Sequence, residues 1–515
     1  MGMSRRSFLK FAGTTALAAS AMKFPFAAPA LAQAEKVLTI GINAHPASLD
    51  PHHEGGNITG IRHWGMIFDT LVRTMPDGSL GPMLATEWDT EDGITWVFKL
   101  REGVVLHDGS TMTPDDVVFS INRALAGEYP GSTQSQVAPY IASVEATGDM
   151  EVTVTATAID PNLPIRMAGT GTVIMPRASV EAAGHEAVQW SPIGSGPFKF
   201  VEFVEGERLV LEQHSEYWMG RPDVTRVILR YIPEASTRVA ALQSGDVDFI
   251  TTLIPDLVDQ IDSAGSLSVD AANVLNHMQV LFNTLQPPLD NVHLRRAMSM
   301  SIDRNVLVND LWSGRTRIMN EYLMPGEFGY DAELDLFPFD PEGAARELEA
   351  GGYSGEQVVF IAPVTYYTNM AAVSDALFAF WQAAGINVDY VRVETEGWRE
   401  NLRGGGDGLT IVSAGSTGDP ALRSDFRGWF EGNYAAGFWT PTDEYTRLWN
   451  AGGAALDADE RRSLFRQMIN IVHDNALIAP MYQSVEFYGR RNNIEWVPST
   501  RFDIDLRPGS FFIST

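Results

Sequence analysis

The 515-residue chain has no cysteine, which excludes disulfides, thiolate metal sites, iron–sulfur clusters and a cysteine nucleophile. Basic side chains are few beside the acids, 37 against 65, for a formal net charge of −28. A surface of that sign repels nucleic acid and anionic lipid as principal partners, and no run of Lys or Arg offers a local exception. Nowhere is there a run of about 18 apolar residues, so no membrane-spanning helix is expected. Several enzyme signatures are also missing: there is no G-x-x-x-x-G-K-[ST], H-E-x-x-H or G-x-S-x-G, and no calcium-loop spacing. Neither an enzyme nor a cofactor is therefore expected. What remains is an ordinary globular composition, 45% hydrophobic and 20% charged, in a length that allows about three domain-sized units.

Residues 1–34 differ from the rest. Arg5, Arg6 and Lys10 come without an acid, small and weakly apolar residues run from Phe11 to Met22, and Ala30-Leu31-Ala32 and Ala32-Gln33-Ala34 follow. A basic start, a short apolar stretch and small residues at the end make the layout of a cleaved export signal. The stretch is broken by Gly13, Thr14 and Thr15 and is too short to cross a hydrocarbon core of ~30 Å. Ser4-Arg5-Arg6-Ser7-Phe8-Leu9-Lys10 resembles the twin-arginine export motif, whose route carries folded proteins. Cleavage would remove Arg5, Arg6, Lys10 and Lys23 and take the charge from −28 to −32. With no cysteine at the cleavage point, no lipid anchor is expected. The expectation is a soluble, monomeric, periplasmic protein.

The remaining chain alternates short strands and helices. Val37–Ile40, Trp96–Leu100 and Val152–Thr155 read as strands, and Ile386–Val388 as the start of another. Thr113-Pro114-Asp115-Asp116 reads as a helix start, with Val117, Val118, Ile121 and Leu125 on one apolar face. Asp340-Pro341-Glu342 repeats the device, with Gly351 placed to stop that helix. Two more helices are expected over Asn369–Ala384 and Asp457–Ala476. Asp115 and Asp116 are explained by the helix start and need no catalytic role. Gly404–Gly408 lacks the order of a phosphate cradle and reads as a turn. His45, His52, His53 and Glu54 lie close together, but Pro46 and Pro51 make the segment an extended loop without helical metal-ligand spacing.

A series of segments goes further. Ser48-Leu49-Asp50-Pro51, Gly81–Trp88, Phe98–Val104 with His107-Asp108-Gly109 and Asp115–Ser120, and Gly194-Ser195-Gly196-Pro197-Phe198-Lys199 occur in that order. Gly245-Asp246-Val247-Asp248, Asn283-Thr284 to Pro287-Pro288-Leu289-Asp290, Arg295-Arg296-Ala297 and Ser301-Ile302-Asp303-Arg304 follow. Together they resemble family 5 of the bacterial extracellular solute-binding proteins, the peptide-, dipeptide- and nickel-binding components of ABC importers. Most of these blocks also have scaffold duties. Trp88, Trp96 and Phe98 are expected in a core, His107-Asp108-Gly109 in a hairpin turn, and Asp303 as the cap of a helix ending at Gly314.

The resemblance implies an α/β, two-lobed periplasmic-binding-protein fold with an interlobe cleft. Lobe I would comprise 35–275 and 478–515, with an extra subdomain inserted at about 55–170, and lobe II would comprise 276–477. It further implies capture of a solute by hinge closure and delivery to membrane permease subunits. Peptide binders of the family hold the ligand's amine with an acid and, in dipeptide binders, its carboxylate with an Arg. Ser416 and Tyr366 align with those positions here. An ordinary dipeptide is therefore not expected as the preferred ligand, and a modified peptide such as glutathione suits the Ser416-Thr417-Gly418-Asp419 run better. The candidate ligand-binding residues are His45, Tyr366, Trp398, Ser416, Thr417, Asp419, Arg423 and Tyr482. An opine, an oligosaccharide or a nickel chelate is the alternative solute, and an exported hydrolase the remote one.

Overall fold

The computed structural model describes residues 35–514 except 47, 55–57, 76–78, 128–133, 364–365, 404, 417, 431–432 and 434. The export-signal reading of residues 1–34 and the candidate Thr417 therefore lie outside the described residues.

The fold is α/β, and one ten-stranded sheet runs through it. Strand β1 (Val37–Ile42) opens the first half. Next comes an inserted unit of β2 (Ala85–Asp89), β3 (Thr95–Leu100), helix α1 (Pro114–Ala126), β4 (Ile141–Gly148) and β5 (Glu151–Ala156). The chain returns through β6 (Phe198–Val204), β7 (Arg208–Gln213), β8 (Arg226–Tyr231) and β9 (Phe249–Ile250) to the long strand β10 (Leu267–Phe282). The second half holds α2 (Val292–Met300), α3 (Pro341–Ala350), β11 (Val358–Pro363), α4 (Met370–Ala383) and β12 (Val388–Val393). It continues with α5 (Thr395–Arg403), β13 (Leu409–Gly415), α6 (Asp443–Ala454) and α7 (Ala458–Asp474). The second long strand, β14 (Ile478–Arg491), runs back to the first half. The sheet order is β12-β11-β13-β10-β14-β9-β1-β8-β7-β6, and β2-β3-β5-β4 form a separate antiparallel sheet.

Local chemistry accounts for the boundaries. The Asp116 carboxylate accepts from the Thr113 N–H at 2.8 Å, and Gly127 ends α1 in the left-handed region. Asp340 accepts from the Gly343 N–H at 2.8 Å to start α3. Asp303 caps its helix through the Asn305 and Val306 N–H groups, as expected; that helix stops at Leu311, short of Gly314. Gly109 has a φ of 86° in the turn where Val105 bridges Thr111. Other boundaries shift as well. The strand expected at Ile386 starts at Val388, and the last two helices are Met370–Ala383 and Ala458–Asp474. Residues Pro51–Glu54 form one helical turn, not an extended loop, because Asp50 caps the His52 N–H at 3.0 Å.

The hydrophobic core has separate centres. One packs α2 and α4 on one face of the second half, through Leu294, Met298, Leu377 and Trp381. Another packs α6 and α7 on the opposite face, through Tyr445, Leu448, Phe465 and Ile469. The first half has its own core around Leu38, Ile40, Leu229 and Phe249. The inserted unit has a fourth, drawn from residues 71–174, with Trp96 and Phe98 inside and Trp88 against it.

The Gly194–Phe198 segment shows why a recurring motif is scaffold. The Ser195 hydroxyl accepts from the Asp69 N–H at 2.9 Å and donates to the Ile174 carbonyl at 3.1 Å. A Cβ on Gly194 or Gly196 would run into the Ile67 backbone. Likewise Asp248 accepts from the Thr39 N–H at 3.0 Å and pairs with Arg491 at 3.0 Å. Arg304 donates to the Pro480 carbonyl at 2.8 Å.

Candidate functional site

Strand directions locate the site. In the first half β1 runs parallel to both β8 and β9. β9 is antiparallel to β14, with Phe249 opposite Arg490 and Ile250 opposite Gly489. The carboxyl end of β9 therefore points towards lower numbers on β14, and the Thr252 N–H reaches the Glu486 carboxylate at 2.9 Å. In the second half β11 is parallel to β13, whose last residue, Gly415, lies opposite Asn276 of β10. The parallel strands of both halves thus end at one place, where β10 and β14 cross between them. Their pairing is interrupted there, from Asn273–Val485 to His277–Gln483. Open α/β sheets bind ligands at the carboxyl ends of their strands, and here two such ends face each other.

The wall on the first half is built on Arg62. Its guanidinium pairs with Glu486 at 2.7 Å and donates to Asn43 at 3.1 Å, to Thr252 at 2.8 Å and to the Thr251 hydroxyl. Thr252 has a φ of 52°, a left-handed conformation that β-branched residues avoid. Glu486 and Arg238 hold it there, Arg238 donating to the Thr252 carbonyl at 2.7 Å. Arg62 and Glu486 are absent from the sequence-based candidates. The available signal was a lone charge in each of two apolar segments, Ile58–Ile67 and Val485-Glu486-Phe487. His45, in the loop after β1, is exposed and tilts against Tyr231 with ring centroids 5.6 Å apart.

The wall on the second half is aromatic at one end and charged at the other. Tyr366 is 44% exposed. Its ring lies 4.8 Å from Trp398 and 4.6 Å from Tyr367, with the Arg399 guanidinium 5.2 Å away. Trp398 itself is buried and donates to the Thr410 hydroxyl at 3.0 Å, so it backs Tyr366 from within. Ser416 accepts from the Gly418 N–H at 3.0 Å, and its hydroxyl lies beside the Glu327 carboxylate. Hydroxyls do occupy the two aligned positions, but Arg399 and Glu327 bring charge up to both from other segments.

Two candidates sit deeper than expected. Arg423 is fully enclosed, pairing with Asp425 at 2.8 Å and Glu327 at 2.9 Å, with His277 at 3.3 Å. Burial and Arg423 together push His277 down to about 4, so it is neutral near pH 7. Burial raises the Glu327 carboxyl above its ordinary range, while at Asp425 the pull of Arg423 outweighs burial and lowers it. Tyr482 is 1% exposed and packs its ring 5.5 Å from Trp312, because its position on β14 faces the α2–α4 core. Asp419 is also buried, accepting from Arg461 at 2.8 Å and from Asn162 of the inserted unit at 3.2 Å. The structure therefore brings Tyr366 and Trp398 together and gathers Ser416, Glu327 and Arg423. It leaves His45 across the crossing, and Asp419 and Tyr482 apart.

Among the described residues no group of three or more His, Asp or Glu is placed to hold a metal ion. None of their helices is long and apolar enough to cross a membrane.

Comparison with known proteins agrees with this geometry. A family model described as "Bacterial extracellular solute-binding proteins, family 5 Middle" matches residues 79–437. Heme-binding protein A of Haemophilus influenzae is 28% identical over 440 residues, covering 79% of this chain and 79% of its own. The dipeptide-binding protein of Escherichia coli is 25% identical over 448 residues, 80% of this chain and 83% of its own. Among solved structures, NikA from Brucella suis in complex with Fe(III)-EDTA has a TM-score of 0.84 at 18% identity, covering 93% of this chain and 100% of that one. At such an identity the structural likeness speaks for the fold.

Proposed function

This chain belongs to family 5 of the bacterial extracellular solute-binding proteins, and from that premise we propose how it works. It is the solute-capturing component of an ABC importer and takes a peptide or peptide-like solute into the cleft between its two lobes. The observation that carries this reading is the crossing of β10 and β14, at which the parallel strands of both lobes end. A solute held there touches both lobes at once, and β10 and β14 are the continuous strands between them that must bend. Binding then stabilises the closed form by the difference in affinity between open and closed states. The closed form is what docks on the permease. The relatives' names are those of binding proteins, in keeping with capture without chemistry on the solute.

Tyr366 and Ser416 on lobe II and His45 on lobe I are the solute-facing groups in this proposal, with Trp398 supporting Tyr366. Glu327 and Arg399 place opposite charges behind the two hydroxyls, which suits a solute with polar ends set further apart than those of a dipeptide. The N-terminal segment is the export signal, and the mature protein works unanchored in the periplasm. Within the same family reading, an opine, an oligosaccharide or a nickel chelate is the alternative solute.

The test is a thermal-shift screen over dipeptides, tripeptides, reduced and oxidised glutathione, opines, oligosaccharides and nickel–histidine, with native mass spectrometry of the purified protein. A true solute at 100 times its Kd raises stability by about 2.7 kcal/mol and shifts the melting temperature by a few degrees. A peptide-class hit supports the proposal. Binding of another class alone replaces the peptide reading with the alternative. No shift from any compound, together with no retained small molecule, overturns the solute-binding reading for this chain.

A further inference from the structure

The inserted unit does not rest on lobe I alone. Asn162, at the start of a short helix in that unit, donates from its side-chain amide to the Asp419 carboxylate of lobe II at 3.2 Å. Both residues are buried, 3% and 4% exposed. The same Asp419 oxygen accepts from the Ala421 N–H at 2.9 Å and from Arg461 at 2.8 Å. A second contact lies nearby. The Tyr140 hydroxyl of the inserted unit accepts from Arg427 of lobe II at 3.1 Å, and Arg166 covers the Tyr140 ring at 3.3 Å. A third is apolar, where Ile159 and Leu456 meet over Gly93; a Cβ there would lie 2.9 Å from each.

We propose that these contacts form an interlobe latch, with Asn162 and Asp419 as positioning residues that hold the lobes closed away from the crossing strands. This rests on the two-lobed reading of the chain and assigns Asp419 to closure, not to the solute. Each half of the latch is complete before it meets the other. Asp419 keeps Arg461 and Ala421 when the lobes part, so opening strands no unpaired charge. On the other side Asp160 accepts from the Asn162 N–H at 2.9 Å and pairs with Arg166 at 2.6 Å, which fixes both Asn162 and the Tyr140 ring. The apolar contact is small, Ile159 and Leu456 remaining 40% and 54% exposed. A preformed, shallow and partly polar contact of this kind can close and release repeatedly. A hydrogen bond to a charged acceptor is the strongest single element in it.

The consequence is a closed form populated without solute, which the solute then deepens instead of creating. Because the chain has no cysteine of its own, two spin labels can be placed cleanly at Asp149→Cys in the inserted unit and Ser463→Cys on α7. Distances are then read in solute-free protein. The background protein shows a dominant short distance. Asn162→Ala shifts the ratio of long to short distances by roughly tenfold, the loss of one hydrogen bond to a charged acceptor. Leu456→Ser shifts it in the same direction and serves if the first variant folds poorly. An unchanged distribution in both Asn162→Ala and Leu456→Ser overturns the latch, as does a background protein that is wholly open. The readout needs no solute, so it fails or succeeds separately from the solute screen.

Discussion

Arg423 is shut off from the surface, and two carboxylates and an imidazole surround it. Replacing such a pair as a unit is often tolerated, but removing one partner leaves a buried charge uncompensated. Arg423→Met is therefore expected to destabilise the protein by about 3–5 kcal/mol, read from urea denaturation midpoints. Adding Asp425→Asn and Glu327→Gln recovers part of that loss, since the stranded carboxylates go with it. A loss below about 1 kcal/mol for Arg423→Met contradicts the closed network. The sequence offered Arg423 as a ligand-binding residue, and the structure places it in an internal ion network instead. Its three partners come from positions 277, 327 and 425, and only the last is a neighbour in the chain.

At the scale of elements, the Gly194–Phe198 segment and the end of the Ile58–Ile67 helix behave as one unit, because backbone lies on backbone with no room for a side chain. Gly196→Ala is expected to cost at least about 3 kcal/mol, beyond the usual range of single substitutions. Gly103 also sits at positive φ, 71°, but faces open space, so Gly103→Ala should cost only about 1–2 kcal/mol of backbone strain. Equal losses in the two variants, measured by denaturation, would rule out the close approach. Caps, proline starts and glycine stops were legible here, and element ends shifted by one to three residues. The helical turn at Pro51–Glu54 was not, since it depends on the buried Asp50, which pairs with Arg123 of α1 at 2.5 Å.

For the whole molecule, two buried histidines and a half-buried one set a pH dependence. Burial lowers His52, His107 and His277 from an ordinary 6.5 to about 4, about 3 and about 4. Below pH 6.5 the unfolded chain takes up protons that these folded imidazoles refuse, so stability is lost as the pH falls from about 6.5 towards 4. Each can contribute up to about 1.4 kcal/mol per pH unit. Buried Asp69, Glu327 and Asp419 are held above their ordinary range by burial and gain stability as they protonate, which opposes the trend. The comparison is therefore by difference: His277→Gln should flatten the fall in stability between pH 6.5 and 4.5 by close to one proton's worth. An identical slope in the variant would show that His277 is not held neutral.

The sequence by itself determined the class of molecule, because composition, missing motifs and an ordered set of scaffold segments are properties of the chain read in order. It also determined most helices and strands, whose caps and periodicity are local. Only the tertiary structure decided what the special residues touch. Arg62 meets Glu486 across 424 positions and Asn162 meets Asp419 across 257, pairings that no local pattern encodes. Burial then settled the rest: the same residue types that could hold a solute at a surface hold each other once the lobes enclose them, because a charge removed from water requires a partner wherever one can be reached.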